Sequence, residues 1–503
     1  MSKNMKSILF KNKFLVVTLI IIMLTSTACE DELTEINENP NEITNLDYGI
    51  QLTNILLSTT EGGYEMFRAS LGYCFASIQQ LADLESPVSG VFLPGDKYLN
   101  DPLFAASLFD EVYTREHKNL ADFLHRTKDD EEAVNYHAMG RIWRVMSAHR
   151  ITDIYGDVPY FNSGKGYIDN NWFPAYDAQE EIYADMLNEL EGAVLQLDPN
   201  KKNPGTNDII YNGDLDKWKK LAYSLMLRLG MRLTKVDNGA AEVWVKKAIS
   251  GGVMTSNDDI AKIIHEIGAS RNPFFNGFET RDQVRLSATF VDWMINMNDP
   301  RLDMISYVES GGPHKGLPNG YDYETIQDYP GGNDLTTYSN YNPELRKWES
   351  PSFRQTYAEV ELLLAEAAVY SWHGGDAAEH YEKGVRAAIN QFGLFGVELP
   401  SDSAIDDYLN NNPFDPAKGL EMIGEQYWAA TILVSWEGYS NWRRTGFPVL
   451  TPTNYPGNVT NGQILRRLTY SGTEYSLNAE NVNAANNRQG PDDFMTRVWW
   501  DKE

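Results

Sequence analysis

The segment from Arg141 to Tyr160, RIWRVMSAHRITDIYGDVPY, limits the choice of fold more than any other stretch of the chain. Apolar residues at Met139, Ile142, Trp143, Val145, Met146, Ile151, Ile154 and Tyr155 cover more than half of a helical wheel, so the spacing predicts a helix buried on several sides. Gly156 supplies the left-handed conformation that closes such a helix, and Pro159 forbids continuation. A helix that apolar needs neighbours on two flanks, which a stack of helical hairpins provides. With 503 residues, 42% of them hydrophobic, the chain has the material for such a core.

Those neighbours are legible. Asp214 is a plausible N-cap for a helix through Trp218, Leu221, Leu225, Leu229 and Met231, and a short Asn238-Gly239 turn leads into a second helix. The arrangement returns at 357–389 as helix, Gly374-Gly375 turn and helix. There Ala365, Gly375, Ala378 and Tyr381 fall near the small and aromatic positions of a tetratricopeptide (TPR) repeat. Trp143, Trp218 and Trp428 lie on helices and are expected in the core. The expected fold is mainly α, a TPR-like array of helical hairpins.

Residues 1–28 read as a lipoprotein signal peptide. Lys3, Lys6, Lys11 and Lys13 precede an apolar run from Phe14 to Leu24, and Ser26, Thr27 and Ala28 lead to Cys29, the expected lipidation site. Losing four lysines and no acid takes the net charge from −28 to −32, a field that repels phosphate backbones and argues against nucleic acid. With Cys29 acylated, Cys74 has no partner for a disulfide. The polar stretch 29–45, opening on Glu30, Asp31 and Glu32, reads as a flexible tether.

Two other stretches break the helical pattern. Residues 85–103 carry three prolines and two glycines and read as a surface loop. Residues 251–352 hold glycine pairs, seven prolines and a crowd of aromatics, with one convincing helix near Val284 to Met297. The resulting division is a helical region at 46–270, a loop-rich irregular ligand lobe at 271–352, a second helical region at 353–440 and an irregular C-terminal segment at 441–503. A pyranose offers C–H bonds on one face and hydroxyls at its rim, so a sugar site needs flat aromatic faces beside amides and carboxylates. Asp96, Tyr98 and Asn100 in one loop, and Arg281, Tyr321, Tyr323 and Trp348 in the other, offer both, and the two loops are expected to converge.

Catalytic signatures are missing: no G-x-S-x-G, no H-E-x-x-H, no phosphate-binding glycine loop and no paired cysteines. No catalytic residue, cofactor or metal is expected. His117, His125, His137 and His149 suit surface or core roles better than a metal set. Asp214 with Asp216, and Asp299 with Asp303, suit helix caps or solvated charges better than calcium. Adjacent Arg443 and Arg444 are expected to pin the C-terminal segment to the helices through carboxylates.

Four motifs, ITDIYGDVPY at 151–160, DLDKWKKLAYSLMLRLGMRL at 214–233, IGEQYWAATILVSWEGYSNWRRTGFPVL at 423–450 and LRRLTYSGTEYSLNAENV at 465–482, together resemble the SusD/RagB family of nutrient-binding outer-membrane lipoproteins. The resemblance implies four TPR-like helix pairs and a ligand lobe that captures a glycan or peptide without cleaving it. It also implies a lipid-anchored position on the outer face of the outer membrane, as a lid on a SusC-like TonB-dependent transporter. An α-helical glycoside hydrolase and a TPR-type protein-binding adaptor are the alternatives.

Overall fold

The computed structural model describes residues 46–59, 65–87, 92–279 and 283–503. The signal, Cys29, the tether and Arg281 lie outside these described residues. The apolar helix is present as Val134–Tyr155, and nearly every side chain from Ile142 onward is buried. Around it stand helices labelled in chain order: α1 (Lys118–Thr127), α2 (Val134–Tyr155 itself), α3 (Gln179–Gln196) and α4 (Leu215–Arg232). The Gly156 N–H closes α2 on the Thr152 carbonyl at 2.8 Å with φ of +84°, a conformation that a side chain would strain. Trp143 of α2 meets Trp218 of α4 edge to face at 6.0 Å, and both are fully buried.

Hairpins continue from there. Asp214 caps α4 by accepting the N–H groups of Asp216 and Lys217, and Asp237 caps α5 (Asn238–Gly251). Thr356 and Glu359 form a reciprocal capping box on α6 (Tyr357–Val369), and Asp376 caps α7 (Ala377–Asn390). The residue that lets α6 and α7 approach is Gly384, where an added Cβ would sit 2.8 Å from Leu362 Cγ. A last pair, α8 (Gly419–Ala430) and α9 (Ser435–Thr445), packs on α6 and α2. The mainly α, TPR-like hairpin architecture is as the sequence implies.

Between α5 and α6 the chain lays down five short strands, which form three antiparallel pairs together with one strand from before α1. They are β1 (Leu81–Ala82) with β3 (Arg285–Leu286), β2 (Ala261–Ile263) with β6 (Ser352–Gln355), and β4 (Ser306–Val308) with β5 (Ser339–Tyr341). The expected helix begins later than Val284, at Ala288, because Arg285 and Leu286 pair with β1 and Ser287 caps the helix. The expected surface loop 85–103 is largely the reverse: Phe92 to Leu99 are buried.

Among α2, α4, α6 and α9 lies a charge network shut away from water. Arg228 of α4 reaches Glu359 of α6 at 2.5 Å, and Arg232 reaches Glu437 of α9 at 2.6 Å and Asp153 of α2 at 3.3 Å. Tyr427 donates to Glu437 at 2.7 Å, Tyr183 donates to Asp153, and Trp500 Nε1 donates to the same carboxylate at 3.0 Å. Arg443 adds a third cation, donating to the Asp153 carbonyl at 2.6 Å, while Arg444 forks onto Glu366 at 2.5 and 2.6 Å. Arg444 thus pins α9 through a carboxylate, whereas Arg443 does so through the backbone carbonyls of Asp153 and Arg466 instead of the expected carboxylate.

Glu437 is held down to about 2: burial opposes its charge, and Arg232 and Arg228 more than offset that. Glu359 is pushed up by burial, which Arg228 opposes and the Glu437 charge reinforces. Glu437→Gln removes the carboxylate that Arg228 and Arg232 share, leaving them only Glu359 and Asp153, and the expected cost is about 3 kcal/mol at neutral pH. Because the folded-state value lies below the ordinary 4.5, the stabilisation is complete above that pH and is lost as pH falls toward 2. Urea unfolding should therefore show the gap between parent and variant narrowing across this acid range; a gap that stays constant there contradicts the assignment.

Candidate functional site

The buried segment Phe92 to Leu99 is organised by one lysine. Pro94 starts a single helical turn, Pro94–Lys97, and Tyr98 ends it with φ of 54°, which folds Lys97 back toward the end of β1. Lys97 Nζ meets Asp83 Oδ1 at 2.7 Å, Asp96 Oδ2 at 2.9 Å and the Asp83 carbonyl at 3.0 Å, and none of the three side chains is exposed. Burial disfavours the ammonium, yet Asp83 and Asp96 outweigh it and hold the Lys97 pKa above its ordinary value. Burial also pushes the Asp83 carboxyl up to about 6, against the attraction of Lys97.

Two distant stretches tie onto this knot. Asp96 Oδ1 accepts from Asn319 Nδ2 at 2.5 Å and from the Gly320 N–H at 3.2 Å. Thr453 donates its hydroxyl to the Asp96 carbonyl at 3.1 Å and its N–H to the Tyr98 hydroxyl at 3.2 Å. The Val459 N–H donates to the Tyr98 carbonyl at 2.9 Å. A small apolar cluster of Ala82, Leu84, Leu317, Ile326 and Tyr338 lies beneath, with Tyr321 and Tyr329 packed on it.

On top of this base sit the rings. Tyr321 and Tyr329 lie 5.9 Å apart at 51°, Tyr323 is 37% exposed, and Lys315 Nζ stands 4.6 Å from the Tyr338 ring. The Tyr455 hydroxyl donates to Asp322 Oδ2 at 2.7 Å, while Asp322 Oδ1 accepts the N–H groups of Glu324 and Thr325 at 3.0 and 2.8 Å. These bonds hold the Asp322 carboxyl below its usual range against partial burial. Flat faces beside a carboxylate form the kind of surface that grips a sugar ring.

The expected loops thus converge in part. Asp96 and Tyr98, each 1% exposed, are corrected from displayed groups to buried struts, since their polar atoms are spent on Lys97, Asn319 and Thr453. Asn100 is exposed, Tyr321 half-buried and Tyr323 exposed. Trp348 belongs to another cluster, with Nε1 donating to the Ser270 carbonyl at 2.8 Å, Arg271 4.0 Å from its ring and Phe275 at 5.6 Å. Sequence reasoning missed Asp83, Lys97 and Tyr455, and it did not single out Tyr329. The partner of Tyr455 lies 133 residues away, so no local pattern marks it.

Among the described residues no group of three His, Cys, Asp or Glu side chains could hold a metal ion, and no helix is long and apolar enough to cross a membrane. Asp214 is the cap described above. Asp299 is buried, not solvated: its Oδ1 accepts the Arg301 N–H at 2.9 Å where the short helix Arg301–Ile305 begins, and the Arg301 guanidinium clasps the carboxylate at 2.5 Å.

Comparison with curated proteins gave no match. Solved structures are similar along the chain. A chitin-binding protein matches with a TM-score of 0.84 at 33% identity, covering 91% of this chain and 100% of its own. A SusD homolog from Bacteroides uniformis gives 0.78 at 25% identity, with 91% and 100% covered. A chitin-binding SusD homolog from Flavobacterium johnsoniae gives 0.77 at 26% identity, with 91% and 98% covered. The SusD-like family model, described as starch-binding and associating with the outer membrane, matches residues 40–471, a span that takes in the hairpins, the Lys97 knot and the tyrosine surface. With its fold and its sequence both matched over that span, the chain belongs to the SusD-like family.

Proposed function

We propose that the protein is a cell-surface glycan-binding lipoprotein whose tyrosine surface grips a chain of β-linked N-acetylhexosamines of the chitin type, without cleaving it. The observation that carries the reading is the convergence of Tyr321, Tyr323, Tyr329 and Asp322 on one rigid base. Tyrosine faces offer large contact area at little entropic cost, and Asp322 and Asn100 offer polar partners for hydroxyl and acetamide groups. Two relatives described as chitin-binding support this ligand class. Capture at the cell surface has its natural continuation in delivery to a SusC-like TonB-dependent transporter. In this reading the described part divides as 46–270, 271–352, 353–440 and 441–503, with the second the ligand lobe.

Cys29 is the proposed acylation site. Each buried CH₂ of an acyl chain contributes roughly 0.8 kcal/mol to membrane affinity, so a multiply acylated cysteine holds the protein firmly. Cys29→Ala is expected to move the protein from the membrane to the soluble fraction and to abolish palmitate labelling; labelling as strong as the parent's overturns the anchor.

Native affinity electrophoresis in glycol chitin tests the surface. Tyr321→Ala and Tyr323→Ala are each expected to weaken retention about tenfold, roughly 1.4 kcal/mol, while Trp348→Ala leaves it close to the parent's. Full retention by both tyrosine variants sinks the site, and release of shorter sugars from a labelled chitin oligosaccharide sinks the non-catalytic reading.

A further inference from the structure

A cavity of about 640 Å³ lies between α1, α2, α3 and the stretch 160–169, and no residue of the tyrosine surface lines it. That volume falls in the range of small-molecule sites. Its walls mix apolar side chains with charged and imidazole groups. His137, Arg141 and Arg144 recur at intervals of four and three along α2, and His117, Leu120, Ala121, Leu124, His125 and Lys128 share one face of α1 and its approach. Asp185 and Glu189, one turn apart, face them from α3.

Of the three lining carboxylates, Asp169 is exposed to solvent and the other two are already engaged. Glu189 takes both bonds of the Arg141 fork at 3.0 Å, and Asp185 accepts the Tyr160 hydroxyl at 2.7 Å. Arg144, half-buried, donates to the Tyr160 carbonyl at 3.3 Å and lies 4.3 Å from the Tyr160 ring. Among the described residues no carboxylate stands within ion-pair distance of Arg144 or of Lys165, a second cation of the lining. The loop bearing Lys165 is fixed from below, where Ser163 donates to the Tyr160 carbonyl and meets His117 Nδ1, each at 3.0 Å.

At the other end Thr127 gives its proton to the Phe123 carbonyl at 2.7 Å, so its oxygen takes the Nδ1–H of His137 at 3.0 Å. His137 Nε2 is thereby a bare acceptor. Burial and the nearby Arg141 hold this imidazole below its usual pKa, which keeps it neutral. Seven residues of α2 separate the two ends, about 10 Å along the axis. Distant acids of the −28 chain are screened beyond roughly 10 Å, so a local cationic end can attract an anion.

We propose that this cavity is a second ligand site for a short acidic glycan, a uronic-acid disaccharide. The uronate carboxylate is held by Arg144 and Lys165, a hydroxyl donates to His137 Nε2, and a ring face rests on Phe161. The proposal stands independently of the tyrosine surface and its ligand.

Isothermal titration of the full chain with digalacturonate tests it, with cellobiose as the neutral probe. Digalacturonate is expected to bind at least tenfold more tightly than cellobiose, and Arg144→Gln and Lys165→Gln are each expected to weaken it about tenfold. Saturating chitin oligosaccharide should leave the titration unchanged. No heat at millimolar digalacturonate, equal binding of cellobiose, insensitivity to both substitutions, or displacement by the chitin oligosaccharide overturns the site. Lys165 is partly exposed, so its variant keeps the test open should Arg144→Gln fail to fold.

Discussion

Three guanidinium groups and three carboxylates, sealed under the hairpins, bind together parts of the chain that lie up to 290 residues apart. Asp153 comes from α2, Arg228 and Arg232 from α4, Glu359 from α6, and Glu437 and Arg443 from α9. Charges without water are costly unless each finds its counterpart, so the cluster forms as a whole or not at all. Apolar surfaces alone would let neighbouring hairpins slide against one another with little change in buried area. Paired charges of fixed geometry allow one alignment, and the tyrosine, tryptophan and threonine groups around them satisfy the remaining lone pairs.

That alignment reaches the lobe through β6. Arg228 donates to the Arg354 carbonyl at 3.2 Å, and Gln355 Nε2 donates to the Ser224 carbonyl at 2.9 Å, so the strand leaving the lobe is attached to α4. The same strand pairs with β2, which enters the lobe. Both ends of the irregular region are thus fixed to the hairpin stack. Its third attachment, β1 with β3, leads straight into Asp83 and the Lys97 knot. A surface that recognises a ligand by the mutual placement of rings needs such fixed ends, since its own short strands could not hold them.

How far the sequence discloses this depends on what kind of order is at stake. Apolar periodicity marks α2, α4 and α6, and local capping chemistry at Asp214 and Thr356 marks where two of them start, because both signals are carried within one turn of helix. Order that depends on distant partners leaves no such trace. Pro94 and Gly95 look like a surface loop until Lys97 is seen to reach Asp83, and with that contact Asp96 and Tyr98 change from displayed groups to struts. Composition singles out Tyr321, Tyr323 and Trp348 alike, whereas in the fold Trp348 packs on Arg271 and Phe275. Tyr455 sits in a stretch of asparagine and glycine with nothing local to distinguish it.

Inward-facing arginines show the same limit and a way past it. On a helical wheel Arg144, Arg228 and Arg232 read as solvated charges, yet the structure turns each of them inward, as it does Arg444. Arg228, Arg232 and Arg444 end on the carboxylates of Glu359, Glu437 and Glu366, which makes them staples between helices. Arg144 ends on a backbone carbonyl and the face of Tyr160, beside open volume. A guanidinium turned away from bulk water keeps its demand for an anion wherever it sits. Where the fold supplies the carboxylate the demand becomes stability, and where the fold leaves a cavity instead, the missing anion is most economically a ligand's.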